Sequence, residues 1–296
     1  MATTTAGARL RALLESDGLI IAPGVFDGIS AHLVARSGFT AAYLTGAGVA
    51  ASGFGLPDIG LVTQTEMTER ARMLTGVLGD VPLIADADTG YGAPLNVVRT
   101  VRDYERSGVA AIQLEDQAFP KRCGHLPDKE LASTGDFLAK LAAALDARTD
   151  ALIVARTDAR DPLGLSAAID RANAYAAAGA DVVFFEAPQS AEEIERIAAE
   201  VKGAPLLINM VQGGLTPDTS AKKLAELGYR IAIHPGVALG AAALAMLEPL
   251  AALRGTVTDG RPAETPAGFF ELVGLTEWSE LGERYRTDQQ GDTPWG

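Results

Sequence analysis

Eight short apolar runs, each ending in polar residues, constrain this chain of 296 residues more than any other feature. The runs are Leu19 to Val25, Ala41 to Gly46, Pro82 to Asp88, Ala110 to Asp116, Leu152 to Asp158, Asp181 to Pro188, Pro205 to Met210 and Arg230 to Pro235. Longer Ala-rich and Leu-rich segments of helical spacing lie between them: Gln64 to Leu78, Pro94 to Ser107, Asp136 to Arg148, Leu165 to Ala178, Ala191 to Val201 and Pro217 to Leu227. Near-continuous apolar strands alternating with helices imply a parallel sheet with covered faces. Eight such units at this length predict a closed (β/α)8 barrel in preference to an open doubly wound sheet.

The reading is therefore an α/β protein, a TIM barrel, occupying residues 1–296 as one domain with 255–296 as a C-terminal helical appendage. No Ser-rich or Pro-rich linker divides the chain. The one composition shift is the polar stretch Arg254 to Pro266, after which Phe270, Val273, Trp278 and Leu281 give Phe269 to Tyr285 helical spacing. Val237 to Leu253 is the most membrane-like stretch, but it is rich in alanine, contains Glu248 and Pro249, and falls short of the roughly 20 residues a span needs. It reads as a buried or interface helix. The N-terminus, Met1 to Leu14, has arginines but no apolar block after them and is no secretory signal.

Charge narrows the partners. With 38 acidic against 25 basic residues the formal charge is -13, which excludes a general binder of the nucleic-acid backbone, since that needs a cationic footprint. A single cysteine makes no internal disulfide, and with three scattered histidines it makes a poor zinc set. A reducing, cytoplasmic location is the simplest reading. His32 reads as helix packing, and His234 as a barrel-mouth or core histidine.

In a parallel barrel the loops after the strand ends build the site. The third run ends Asp86-Ala87-Asp88, and strand alternation would point both carboxylates to one face about 7 Å apart. At an effective dielectric near 20 they repel by roughly 2 kcal/mol. A shared proton or a bound cation would offset that, and Glu115-Asp116 adds acids at the neighbouring strand end. Carboxylates without grouped histidines or cysteines suit a hard, water-carrying ion, so Mg2+ is preferred over zinc, with Mn2+ as a substitute. The alternative is that these acids cap helices or pair with Arg156. Arg156 offers a fork that matches a carboxylate, which makes a dicarboxylic or keto-acid substrate a natural guest. Glu186 and Asn209 end the sixth and seventh runs at the same mouth. The turn Thr45-Gly46-Ala47-Gly48 can present backbone amides to an anion. Cys123, within Lys121-Arg122-Cys123-Gly124-His125, has neighbouring cations that would favour its thiolate.

Together these residues resemble the isocitrate lyase and phosphoenolpyruvate mutase superfamily from about Pro23 to about Pro249. The segments that carry the likeness are Tyr43-Leu44-Thr45-Gly46, Gly55-Leu56-Pro57-Asp58, Asp86-Ala87-Asp88-Thr89-Gly90, Leu114-Glu115-Asp116-Gln117, Lys121-Arg122-Cys123-Gly124-His125, Ala155-Arg156-Thr157-Asp158 and Phe185-Glu186-Ala187. The loop around Cys123 is similar to the lyase branch, in which the cysteine is a general acid. The resemblance implies a Mg2+-dependent barrel lyase, a homotetramer in which paired subunits exchange their eighth barrel helix. It implies that Asp86 and Asp88 hold the metal and that Asp58 and Glu115 orient its waters. It further implies that Arg156 clamps the 2-oxo acid half of the substrate, that amides at Thr45, Gly46 and Ala47 take its carboxylate, and that Tyr43 faces the reacting centre. By the same resemblance Gly124 and His125 would contact substrate, and Glu186 and Asn209 would line the far carboxylate pocket. Asn209-Met210-Val211-Gln212-Gly213-Gly214 looks more like dimethylmalate lyases and oxaloacetate hydrolases than like methylisocitrate lyases. Leu126 stands where methylisocitrate lyases carry a basic residue. Fewer cations there argue for a smaller or less charged substrate.

The expected reaction is retro-aldol cleavage of a 2-hydroxy di- or tricarboxylate of 2-methylisocitrate or 2-alkylmalate type, giving a 2-oxo acid such as pyruvate and a carboxylate. The competing readings are an oxaloacetate hydrolase or decarboxylase, a carbon–phosphorus bond enzyme of the same scaffold, and a non-catalytic metabolite-binding barrel. The glycine in the Lys121 to His125 loop permits that loop to close over the site.

Overall fold

Closure of a parallel sheet turns every second residue of each strand toward a common axis, so strand phase decides which side chains meet there. The computed structural model describes residues 4–126, 128–255 and 265–285. Eight strands form a closed parallel barrel in sequence order: β1 (Ile20–Val25), β2 (Ala42–Leu44), β3 (Leu83–Asp86), β4 (Ala111–Glu115), β5 (Leu152–Thr157), β6 (Val182–Phe185), β7 (Leu206–Asn209) and β8 (Tyr229–His234). Each of the eight apolar runs supplies one strand, and the ring closes where β1 pairs with β8, Ile20 opposite Ile231.

The helices are α1 (Ala6–Glu15), α2 (Gly28–Arg36), α3 (Gly46–Val49), α4 (Gln64–Leu78), α5 (Pro94–Arg106), α6 (Thr134–Ala147), α7 (Arg160–Leu163), α8 (Leu165–Ala177), α9 (Ala191–Glu200), α10 (Ala221–Leu227), α11 (Val237–Arg254), α12 (Pro266–Glu271) and α13 (Leu275–Arg284), with a π-helical turn at Ala50–Phe54 after α3. Side-chain caps start many of them. Asp27 and Ser30 box the start of α2 and Thr63 and Glu66 that of α4, while Ser133, Ser190 and Ser220 cap α6, α9 and α10, each satisfying an otherwise orphaned amide.

Inside the barrel, Ile20, Ala22, Ile84, Leu152, Val154, Val182, Phe184, Leu207, Ile231 and Ile233 pack into one buried cluster that Leu10 of α1 joins. The alternate residues, such as Ile112, Leu114, Ile153 and Ile208, pack outward beneath the helices. Above the apolar layers the inward phase continues with polar residues, so Tyr43, Asp86, Gln113, Glu115, Arg156 and Asn209 share the barrel mouth with Glu186 just beyond β6. All are buried.

Three sequence readings are corrected, and of the two readings of Val237 to Leu253 the buried helix is set aside. Helix α10 begins at Ala221 rather than near Pro217, because Ser220 provides the cap. The segment from Phe269 to Tyr285 is two helices, not one, separated at Gly274, whose φ of 78° is the left-handed conformation that ends a helix. Much of the 255–296 appendage lies outside the described residues. His32 is exposed on α2 and packs against no core. The eighth barrel helix, α11, has no buried residue, with Leu250 58% and Leu253 85% exposed. Among the described residues it is the one helix long and apolar enough by composition to cross a membrane.

Candidate active site

Asp86 ends β3 and points into the barrel, where its carboxylate accepts from Gln113 Nε2 (3.1 Å) and from the backbone amides of Asp88 (3.0 Å) and Gly46 (3.3 Å). Asp88 reaches the same place by a different route from the strand alternation expected. The strand ends at Asp86, and Asp88 has φ 45°, a left-handed turn that aspartate tolerates better than most residues. Gly46 must be small, since a β-carbon there would stand 2.8 Å from Asp86 Oδ2. Tyr104 OH donates to Asp86 O (2.9 Å) and Lys140 Nζ to Thr89 O (2.9 Å), so α5 and α6 brace the turn from outside.

The cation nearest these acids is Lys121. Its ammonium is buried between Asp58, with which it makes a short ion pair, and Asp88 at 2.9 Å. Burial would lower the Lys121 pKa, but Asp58 and Asp88 outweigh it and hold the ammonium charged. Burial raises Asp88 to about 6 in spite of Lys121. Burial likewise lifts Glu115 well above the ordinary carboxylate range, and Glu115 Oε1 is buried without a hydrogen-bond partner. Asp116 is corrected: it turns away from this group and accepts from Thr157, Tyr175, Arg171 and the Asp158 amide behind the strands.

Arg156 is not the open fork the sequence suggested. Its Nε and Nη2 each donate at 2.8 Å to the two oxygens of Asp158, Nη2 also lies 3.2 Å from Glu186, and Nε lies 3.5 Å from Glu115. Nη1 is the nitrogen outside these ion pairs. Phe184 supports the guanidinium 5.0 Å from its ring centre. Glu186 also meets His125 Nε2 (3.2 Å) and Asn209 Nδ2 (3.2 Å). Burial would raise Glu186, but Arg156 and His125 outweigh it and bring its carboxyl down to about 2. His125 Nδ1 accepts the Leu215 amide at 3.0 Å, which leaves the ring proton on Nε2, toward Glu186. Gly124 is required here as well: a β-carbon would collide with Arg156 Nη2 and stand 2.6 Å from Glu186 Cγ.

The chain matches the model of the phosphoenolpyruvate phosphomutase family over residues 10–254. It belongs to that family. It is 44% identical over 285 residues to 2,3-dimethylmalate lyase of Eubacterium barkeri, covering 95% of this chain and 98% of that one. It is also 44% identical over 280 residues to 2-methylisocitrate lyase of Aeropyrum pernix, covering 93% and 89%. Among solved structures, oxaloacetate acetylhydrolase in complex with 3,3-difluorooxalacetate superposes with a TM-score of 0.83 at 39% identity, covering 95% of this chain and 97% of that one.

In this phosphomutase-family barrel the mouth opens into a cavity of about 340 Å3 lined by Tyr43, Thr45, Ala47, Asp58, Asp86, Cys123, Gly124, His125, Arg156, Glu186 and Asn209 on one side. The opposite wall is apolar and comes from α11 and α12, including Val237, Leu239, Leu244, Phe269 and Phe270. Tyr43 OH donates to Gln113, which in turn donates to Asp86. Burial and the neighbouring Asp86 keep that phenol protonated. The amide turn is partly committed: Thr45 N–H bonds Val25 O and Gly46 N–H bonds Asp86, so Ala47 is the amide of the three outside these bonds. The expectation of a Cys123 thiolate is overturned. Burial, then the Asp58 carboxylate, pushes the thiol up to about 12, outweighing the His125 amide and the Lys121 ammonium, which favour the thiolate. Sequence reasoning passed over Gln113 and the ion-pairing of Lys121. Gln113 was signalled by its position two residues before Glu115 on the inward phase, whereas nothing in the sequence pairs Lys121 with residues 63 and 33 positions away.

Proposed function

We propose that this protein is a divalent-metal-dependent carbon–carbon lyase that cleaves a 2-hydroxy dicarboxylate of the 2-alkylmalate type to a 2-oxo acid and a carboxylate, with Cys123 as the general acid. The observation that carries the reading is the place of the Cys123 thiol, kept neutral by burial, on the wall of the cavity that also holds Arg156 and the acid cluster. A neutral thiol is what a proton donor to an enolate must be.

The metal reading rests on the donor set. Asp58, Asp86, Asp88 and Glu115 present oxygen alone, and Glu115 Oε1 is a buried acceptor with no partner. An oxygen-only donor set suits Mg2+, which keeps several waters and takes one or two carboxylates directly. Asp86 and Asp88 would hold it, and Asp58 and Glu115 would orient its waters. Bound there, the ion supplies Lewis-acid stabilisation of developing oxyanion charge.

The chain's own residues account for the rest of the chemistry. Arg156 Nη1, with the Ala47 amide, binds the carboxylate of the 2-oxo half. As the substrate hydroxyl loses its proton and becomes a carbonyl, the C2–C3 bond breaks and its electron pair passes to the other fragment as an enolate. Cys123 gives that carbon its proton. The hydroxyl proton passes to a carboxylate of the acid cluster at the mouth, Cys123 becomes a thiolate as it protonates the carbon, and that carboxylate's proton recharges the thiolate, so no external acid is consumed. The apolar wall of α11 and α12 excludes water from the enolate.

The charged side chains on the cavity wall are Asp58, Asp86 and Glu186 against Arg156, with His125 beside them, and Glu186 has already taken the cationic partners of that side. Among the described wall residues a third substrate carboxylate would meet no cation outside these pairs, whereas an alkyl group fits the Phe269 and Leu244 wall. A 2,3-dialkylmalate is therefore placed ahead of 2-methylisocitrate. Incubation with 2,3-dimethylmalate, 2-methylisocitrate and oxaloacetate in Mg2+ tests the order. Pyruvate from the first at the highest kcat/KM is expected, and oxalate with acetate from oxaloacetate, with no turnover of the other two, would replace the lyase with a hydrolase. Stabilisation by pyruvate without any turnover would leave a binding barrel. Cys123→Ser should lower turnover by about 10²- to 10⁴-fold with pyruvate binding retained; full turnover removes the proposed acid. We extend the proposal to a cytoplasmic homotetramer whose paired subunits exchange α11, which would cover the apolar surface that helix exposes.

A further inference from the structure

Cys123 sits on a loop outside the strands and helices, yet general acid catalysis requires its sulfur to be held within a fraction of an ångström. Two buried side chains outside the cavity grip that loop by its backbone. Gln117, 1% exposed, makes a donated and an accepted hydrogen bond to the backbone of a single residue: Nε2 donates to Arg122 O (2.8 Å) and Oε1 accepts from Arg122 N (2.9 Å). The peptide fixed in this way is the one next to Cys123. On the far side Lys129, 6% exposed, donates from Nζ to Gly124 O and to Leu126 O, each at 2.8 Å. Its third hydrogen is directed at Asp161 Oδ2, 3.3 Å away. An ammonium has three donors and no acceptor, and here all three are used, two of them on the loop.

We infer that Gln117 and Lys129 are positioning residues that clamp the Arg122–Leu126 backbone from both sides and so set the place of the Cys123 sulfur and the His125 ring. The inference rests on the reading of Cys123 as general acid. Burying a lysine is costly unless every donor is paired, and a methionine of similar length would fill the same space without that cost. What the lysine adds is a grip on two carbonyls. The base of the loop gives the clamp a rigid footing: Gln117 and Leu131 form an antiparallel bridge, Ala118 N–H bonds Glu130 O (2.8 Å) and Ala132 N–H bonds Asp116 O (2.9 Å). Asp161, at the start of α7, ties the lysine to the next barrel unit.

Cys123 is the chain's only cysteine, so alkylation of the intact protein reports on it alone. The experiment measures iodoacetamide modification by intact mass, together with kcat and KM, for the Mg2+-loaded full chain and for Gln117→Ala and Lys129→Met. Alkylation at least tenfold faster in each folded variant is expected, with kcat lowered about 10²-fold and KM moved less than threefold. A purely structural role would change Tm and leave the alkylation rate of the folded protein alone. Unchanged alkylation overturns the clamp, and faster alkylation with unchanged kcat overturns its part in positioning for catalysis. Loss of the Cys123 reading would show separately, as an active Cys123→Ser. Should Lys129→Met fail to fold, Asp161→Asn loosens the same grip from its exposed end, and an alkylation rate there within experimental error of the wild type counts against the proposal.

Discussion

Gly124 shows how much of the site depends on a missing side chain. Arg156 and Glu186 approach its α-carbon so closely that a methyl group would occupy their positions, since Glu186 Cγ lies 2.6 Å from where that carbon would stand. Gly124→Ala should therefore break the Arg156–Glu186 contact without touching the barrel core. Its kcat/KM should fall by about 10²-fold with Tm lowered by only a few degrees, as steady-state kinetics and calorimetry would show; activity within twofold of wild type would mean the loop yields to the methyl. At this scale the sequence was legible wherever a residue's role follows from strand phase. Asp86, Glu115, Arg156 and Asn209 all sit on inward positions and all reach the mouth. It was misleading where a role depends on what a neighbour is already doing. Lys121 and Arg122 flank Cys123 in sequence, but burial and the Asp58 carboxylate, which Lys121 also pairs, outweigh the Lys121 charge, so the thiol is raised rather than lowered.

The strands and most of the helices follow from period and composition, because each apolar run must be buried on both faces and each helix carries one apolar stripe. α2 showed only as a helical setting for His32, without bounds, because its apolar residues include the exposed Ile29 and Leu33, so its pattern does not match a core-facing stripe. Loops that close the barrel bottom were equally invisible, and there Glu105 is decisive. From the end of α5 it accepts the amides of Thr149 (2.8 Å), Asp150 (2.7 Å) and Ala151 (2.9 Å), together with the Thr149 hydroxyl. Burial opposes ionisation, but these donors outweigh it and hold the Glu105 carboxyl below its ordinary value of 4.5. The folded state then gives up the proton at lower pH than the unfolded chain. The stabilisation is present above the ordinary carboxylate range and is lost as pH falls through the folded value. Glu105→Ala should cost about 1–2 kcal/mol at pH 7 and lower Tm by about 2–6 °C. The difference from wild type should shrink as the pH of the melt is taken below about 4. A gap that stays constant down to pH 3 would show that packing, not the charge, is what was lost.

At the scale of the whole molecule, α11 stands apart from the other barrel helices. Its 18 residues from Val237 to Arg254 include no buried one, although Leu244, Met246, Leu250 and Leu253 are large and apolar. An isolated subunit would leave a contiguous apolar face of this kind in water, which soluble monomers avoid. Val237, Leu239 and Leu244 also line the cavity, so whatever covers the helix bears on the site itself. A second copy of the chain meets both conditions, and the proposed exchange of α11 between paired subunits buries the helix while placing it against a barrel. Sedimentation of the wild type should give a species of several subunits, stable to dilution. Replacing Met246 and Leu250 by Glu should shift it to smaller species and raise KM at least tenfold, because the wall of the cavity would lose its support. A wild type that sediments as a monomer, or binds neutral phosphatidylcholine vesicles through this helix, would mean that the apolar face serves a different neighbour and that the cavity is completed within one chain.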